Sequence, residues 1–561
     1  MLSILGLDNG FVPSAALLAA ILVILYLAYL IRSPVTMDPK EPPLVRPAVP
    51  FVGHIIGLFQ HSWEYLDMVY AKSKAPMFTL PMLGGKMYVI TEPELVQAAL
   101  RNRSLSFDPF LRDLIKGMAG ASAQTMKAWD DPAFYGPWVK IIYGGMAGQS
   151  LLGLNVSAVG GIAAVLNEIG DDMEIADLYK WTREVFTLAS TDSLYGSKNP
   201  LRADKKLIAA YWDYETDVNK LMLGIFPSLV APRGYRGQAL IQQAFTSFFD
   251  SQLHEGADVP SLVKYRRRLS ASFDMPPSEA AKIELMFLHG AISNTFPAFY
   301  WFFTRVFSQP KLLLRLREEV QCVIEEKATV TVDAKEKRVF VLHIEKLEEK
   351  CPLLMSCFRE THRLYAMGVL ARKVMADTTI SDGKMSYVVK KDWQISAPQR
   401  ILQTSFEIWG DDALDFIGDR FLKVAEERGE AVVNVAVRGF LAFGGGKHIC
   451  AGRYLASGEL LGSLALLVAG FDVTNLDGDA LTVPEVTSVP VTGSLGKPVP
   501  GSDLGGRMRR RTGWEDVQWK IGRLRGRLEK LKKTIYAIES SVDSNNKANA
   551  ARLDELKSDI K

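Results

Sequence analysis

The chain has 561 residues, 66 Lys and Arg against 63 Asp and Glu, a net charge of +3 and 48% hydrophobic residues. This balance excludes a disordered tail protein and a nucleic-acid binder whose affinity rests on a large cationic excess, and the length can bury a sizeable core. Its four cysteines, Cys322, Cys351, Cys357 and Cys450, make no CxxC pair, so neither a disulfide framework nor a zinc ribbon is expected and a reducing compartment is the simpler setting.

Residues 11–31 run without a charge and end at Arg32. A helix of that length spans roughly 31 Å, enough for a hydrocarbon core of about 30 Å. Only Asp8 is charged before it, while Arg32, Lys40 and Arg46 follow, so the positive-inside rule puts the rest of the chain in the cytoplasm. The reading is a single anchor over 1–33. Pro39, Pro42, Pro43, Pro47 and Pro50 then predict a stiff extended linker.

Helices are expected over 94–100, 178–188, 280–307, 351–365 and 451–468, with strands over 86–90 and 387–395. No repeat or linker splits the middle, so one large, mainly α domain with small β-sheets is predicted over 34–519. Arg507, Arg509, Arg510 and Arg511 are read as a solvated face. From residue 520 to 561 the character changes: Ile521, Leu524, Leu528, Leu531, Ile535, Ile538 and Val542 recur at steps of three and four. Such a seam predicts a coiled coil or a docked amphipathic helix, with self-association through it as one outcome and a lone solvated helix as the other.

The chemistry lies in Phe443-Gly444-Gly445-Gly446-Lys447-His448-Ile449-Cys450-Ala451-Gly452. Consecutive glycines let a backbone take positive φ and lie close against a flat ligand. The cysteine falls just before an expected apolar helix, whose N-terminal amides favour a thiolate, the form that binds a metal.

These residues resemble the cytochrome P450 haem-ligand signature Phe-x-x-Gly-x-x-x-Cys-x-Gly, met at Phe443, Gly446, Cys450 and Gly452. The resemblance implies the mainly α P450 fold, haem b, and Cys450 as axial thiolate to its iron. His448 matches the basic position that binds one propionate, and Arg372 resembles the arginine that reaches the other. Glu360-Thr361-His362-Arg363 fits the Glu-x-x-Arg motif, and Asp419-Arg420-Phe421 looks like the segment that supplies a second arginine, so Glu360, Arg363 and Arg420 read as a structural triad. A Trp-x-x-x-Arg pair common in the family is not met, because Ile142 stands four positions after Trp138; Lys140 is the candidate replacement.

The helix over 280–307 would cross the haem, yet it reads Ala291-Ile292-Ser293-Asn294-Thr295-Phe296-Pro297, with Asn294 where many members carry an acid. Pro297 lacks the N–H that would have met the Ser293 carbonyl, so a break beside Asn294 and Thr295 is expected. An amide cannot supply a proton as an acid does, which leaves proton delivery to Thr295 and ordered water. Asn-Thr before proline looks like the steroid 7α-hydroxylase and prostacyclin synthase branch, which contains oxygen-dependent hydroxylases and peroxide isomerases. The stretches Leu194-Tyr195-Gly196-Ser197-Lys198-Asn199-Pro200 and Arg509-Arg510-Arg511-Thr512-Gly513-Trp514 look like filamentous-fungal members.

The expectation is therefore a monooxygenase of the endoplasmic reticulum membrane, with its domain in the cytosol. It takes electrons from NADPH-cytochrome P450 reductase, uses O2, and oxidises a lipophilic molecule such as a terpenoid, steroid or polyketide in fungal secondary metabolism. A peroxide isomerase needing no external electrons is the alternative within the family, and a non-catalytic membrane scaffold the alternative outside it. No nucleic-acid partner is expected.

Overall fold

The computed structural model describes residues 20–21, 23–24, 37–47, 53–82, 84–332, 335–422, 439–487, 493–502 and 504–522. Most of the expected anchor and the heptad seam from Leu524 onward lie outside these residues; Ala20, Ile21, Val23 and Ile24 are helical.

Thirteen strands among the described residues form four small sheets around a helical body. The largest has the order β1-β2-β10-β7-β3, built from β1 (Met77–Met82), β2 (Gly85–Ile90), β10 (Gln394–Pro398), β7 (Val369–Val374) and β3 (Leu105–Ser106). The single strand expected over 387–395 is two, β9 (Ser386–Val389) and β10, separated by a turn in which Asp392 takes φ 70°. The proline-rich segment is docked rather than free. Glu41 is buried against the Lys86 ammonium and the Tyr88 hydroxyl, and the amide of Thr79 in β1 donates to the Pro43 carbonyl at 2.8 Å.

The expected helix over 280–307 is two: Pro277–Ile292 and Thr295–Phe307, broken at Ser293 and Asn294. The second is apolar on every side and buries all residues from Phe296 to Thr304, so it forms the centre of the body. Leu178–Tyr195, Pro352–Tyr365 and Arg453–Gly470 pack on it.

The helix Gly148–Glu168 corrects the expectation of one apolar span, for residues 141–167 carry no charge either. It is long and apolar enough to cross a membrane by length and composition. Instead it lies between Leu178–Tyr195 and Arg453–Gly470, where Gly161, Gly458 and Gly462 permit close approach: a Cβ at each would press on Ala189, Asn155 or Val159. Composition alone cannot separate a core helix from a membrane helix.

The arginine run near the C-terminus is not a solvated face. β12 (Gly506–Arg510) pairs with β11 (Phe471–Thr474) and β4 (Asp172–Ile175), which turns Arg510 inward. Its guanidinium donates to the carbonyls of Leu166, Asn167, Ile169 and Val517 at 2.8–3.2 Å, closing the C-terminal end of Gly148–Glu168. Arg507 and Arg509, on the other face, meet Glu174 and Asp172. The domain also runs past residue 519: β13 (Val517–Gly522) pairs in parallel with β6 (Lys335–His343), itself paired with β5 (Ile324–Val332), so Ile521 belongs to a sheet and not to a heptad seam. Arg510→Met keeps the bulk but removes a donor from four carbonyls; the expected loss is about 2–4 kcal/mol of unfolding free energy, read by urea denaturation of the purified protein. An unchanged midpoint would contradict this account of the sheet.

Candidate active site

Cys450 is set by a loop stitched to itself. Its amide donates to the Phe443 carbonyl at 2.9 Å, the Gly444 amide donates to Leu441 at 2.8 Å, and Tyr143 donates to the Ile449 carbonyl at 2.6 Å. Gly444 and Gly446 take φ 72° and 63°, a region that costs a Cβ-bearing residue. At Gly446 a Cβ would also collide with the Leu100 carbonyl oxygen, so glycine lets this turn seat on the helix Pro93–Arg101.

The chain then enters Arg453–Gly470, and the amides of Gly452 and Arg453 point at the Cys450 sulfur. Burial pushes this thiol up, while those two amides and the Arg453 charge pull it down. The sulfur is nonetheless open on one side, towards a cavity of about 440 Å³.

That cavity gathers most of the residues singled out from sequence: Cys450, Phe443, His448, Gly452, Arg372, Asn294 and Thr295 all line it. Gly446 and Pro297 stand behind the wall, the first seating the loop and the second in the buried helix after the break. Arg372 is no surface cation: it is 7% exposed and bonds the Gly445 carbonyl at 3.2 Å. His448 accepts from the Phe107 amide at 3.3 Å and turns its other nitrogen towards Asp108. Lys140 is exposed and outside the lining, because Trp138 and Ile142 hold the inward positions of the helix Pro132–Gly145.

At the helix break, Thr295 donates its hydroxyl proton to the Ala291 carbonyl at 2.8 Å, and the Asn294 side-chain oxygen accepts from the Ser494 amide at 3.2 Å. The amide side chain thus ties the crossing helix to the 493–495 segment. Its carboxylate-free character extends around it: Glu459 is the one acid among the described lining residues, and it belongs to Arg453–Gly470.

Glu360, Arg363 and Arg420 form a cluster outside the cavity, 0%, 0% and 4% exposed. Arg363 meets Glu360 through two nitrogens at 2.7 and 2.8 Å, and Arg420 meets it at 2.9 Å.

Of the lining residues given no role from sequence, three polar ones stand out. His362, between the motif's Glu and Arg, is buried; burial pushes it down to about 4, so it is neutral at pH 7 and its Nδ1–H donates to the Phe358 carbonyl at 2.9 Å while the ring rests on Phe443. Ser494 arrives from the far end of the chain. Glu459, hydrogen-bonded by Ser190, is pushed up to about 7 by burial. Only the histidine's place within a recognised motif could have flagged any of them.

A glycine cradle, a thiol with two amides aimed at it, apolar walls and an arginine and a histidine at one edge suit a flat iron tetrapyrrole with two carboxylates. The comparisons agree. A family model described as Cytochrome P450 matches residues 273–495. A cytochrome P450 monooxygenase of Gibberella zeae is 32% identical over 491 residues, 87% of this chain and 92% of that protein. The cytochrome P450 monooxygenase nodJ of Hypoxylon pulicicidum is 27% identical over 89% of this chain and 96% of its own length. A rabbit (Oryctolagus cuniculus) 7-alpha-hydroxycholest-4-en-3-one 12-alpha-hydroxylase is 23% identical over 80% of this chain and 89% of its own. The chain belongs to the cytochrome P450 family and is a monooxygenase of it, which implies haem iron, O2 and a redox-partner reductase.

Glu459 gives a pH prediction whose sign is set by its raised value. Below its ordinary pKa of 4.5 the carboxyl is protonated folded and unfolded; between there and about 7 the unfolded chain releases the proton while the folded chain keeps it, so wild-type stability falls as pH rises. Glu459→Gln should therefore match wild type near pH 4.5 and exceed it by about 1–3 kcal/mol above pH 7 in denaturant titrations. A pH-independent difference would place the cost elsewhere.

Proposed function

We propose that the protein is a membrane-anchored haem-thiolate monooxygenase that holds haem b through Cys450 and oxidises a lipophilic substrate, terpenoid, steroid or polyketide-like. The observation that carries this reading is the placement of Cys450: a sulfur at a helix N-terminus that lines a largely apolar cavity. In this reading Arg372 and His448 hold the two propionates, Phe443 shields the sulfur, and residues 11–31 anchor the chain in the endoplasmic reticulum with the domain in the cytosol. NADPH-cytochrome P450 reductase supplies the electrons. The relatives from Gibberella zeae and Hypoxylon pulicicidum are monooxygenases and favour that activity here; the tailoring of a fungal secondary metabolite is the role proposed.

Bound haem iron would supply oxygen activation. The chain's own residues exclude water with Phe107, Leu370 and Leu495, and hold a proton at the Thr295 hydroxyl beside the helix break. Asn294, fixed by Ser494 and donating one amide N–H to the Ser293 hydroxyl at 3.4 Å, offers the other to an oxygen in the cavity.

The missing acid at Asn294 is the one observation that favours a second reading, a peroxide isomerase. Product formed only with reductase, NADPH and O2 supports the monooxygenase; turnover of a peroxide without NADPH supports the isomerase. The dithionite-reduced protein in membranes should give a strongly red-shifted carbon monoxide Soret band, and Cys450→Ala should abolish both that band and turnover. A wild-type band in the mutant would sink the ligand assignment. Thr295→Ala should lower product per NADPH at least about tenfold and release peroxide, with Thr295→Ser retaining most coupling. An unchanged ratio removes Thr295 from proton delivery.

A further inference from the structure

Two cysteines remain outside the site just described. Cys322 is exposed on the 3-10 turn Val320–Val323, and Cys351 is buried immediately before the helix Pro352–Tyr365. The two cysteines are brought together in space, although a whole hairpin, β5 and β6, separates them in sequence. Cys322 Sγ also lies 3.1 Å from the Glu319 carbonyl and 3.6 Å from the carbonyl of Lys350, the residue preceding its partner. Among the described residues no group of three metal-ligating side chains gathers, so the pair does not extend into a metal clip.

The surroundings make the two sulfurs unequal. The Glu319 carboxylate accepts the amides of Leu353 and Leu354 at 2.7 and 2.9 Å, capping the helix beside Cys351. Burial and that negative charge push the Cys351 thiol up. Cys322 is instead the sulfur that solvent reaches, on the outer side of the turn, while the Lys350 ammonium pairs with Glu349 at 2.8 Å. Cys357, the other buried cysteine, is turned away and donates to the Gly418 carbonyl at 3.4 Å.

We propose that Cys322 and Cys351 are a peroxide-responsive dithiol that closes reversibly to a disulfide. The Cys322 thiolate attacks hydrogen peroxide, the O–O bond breaks, and the released hydroxide takes a proton to leave as water. The Cys351 sulfur then attacks the Cys322 sulfenic acid, forming the S–S bond; its thiol proton departs with the displaced hydroxide as a second water. Two thiols are oxidised and one peroxide is reduced to two waters. The oxidant is the by-product a P450 monooxygenase releases when oxygen activation is not coupled to product. The bond fastens the turn Val320–Val323 to the start of the helix that carries Glu360 and Arg363, the segment on which the haem loop leans.

The test uses the full chain in membranes, exposed to hydrogen peroxide, then denatured, alkylated, digested and analysed by mass spectrometry. The expected product is a Cys322–Cys351 cross-linked peptide that dithiothreitol reverses. Cys351→Ala should instead accumulate Cys322 sulfenic acid, raising its dimedone adduct severalfold, and Cys322→Ser should leave Cys351 fully alkylatable. The carbon monoxide spectra of both variants report that they fold. Equal dimedone labelling of wild type and Cys351→Ala with no cross-linked peptide overturns the proposal, as does a Cys322 that links only between chains.

Discussion

One carboxylate, Glu360, holds two guanidinium groups in the dry interior, and the position of the haem loop descends from it. Charges so buried survive only when each is neutralised and every remaining donor is used. Arg363 meets the carbonyls of Gln403, Ala413 and Asp415, and Arg420 those of Trp409, Asp412 and Asp415. These bonds pin residues 403–420 against the helix Pro352–Tyr365. From there Gln403 accepts from the Leu441 amide at 3.0 Å, while Gln399 donates to the Leu441 carbonyl. Leu441 in turn starts the tight turn that returns at Cys450. A lost partner in the cluster leaves a buried charge uncompensated, a cost of about 3–5 kcal/mol, and releases the chain leading to the sulfur.

The opposite wall depends on something weaker, the removal of one N–H. Pro297 leaves the Ser293 carbonyl without its helical donor, and the helix restarts at Thr295. The break would be only a packing defect if nothing filled it. Asn294 fills it by accepting the Ser494 amide, and the Thr295 hydroxyl bonds back to Ala291. A carboxylate at 294 would serve the same acceptor role but carry a charge into an apolar cavity. An amide keeps the tie without that charge, and its nitrogen donates to the Ser293 hydroxyl at 3.4 Å.

What could be read from sequence is what short local patterns control. The loop from Phe443 to Gly452, the Glu360 and Arg363 spacing, and the break before Pro297 each depend on chemistry within a few residues. What could not be read depends on pairing at long range. Arg510 looks like any surface cation until β12 is placed between β4 and β11. The prolines at 42–43 look like a spacer until β1 binds them. His362, Ser494 and Glu459 become neighbours of the same cavity only through the packing of three separate segments. The helix Gly148–Glu168 shows the limit of composition most clearly, since it is apolar enough for a membrane span and yet packs against Leu178–Tyr195 and Arg453–Gly470.

The edge of the cavity brings these strands of argument together. A tetrapyrrole with two carboxylates needs positive charge at one end, and the usual helix arginine is replaced by Ile142. Arg372 provides one permanent charge, held inside by the Gly445 carbonyl and stacked over Phe107. His448 is the second group, and burial pulls its pKa below the ordinary value, with Asp108 pulling the other way. Tyr135 and Ser106 donate to the same Asp108 carboxylate and keep it ionised. Asp108 offsets only part of what burial does, so this edge keeps one fixed charge at Arg372 and, at His448, a ring that accepts from the Phe107 amide.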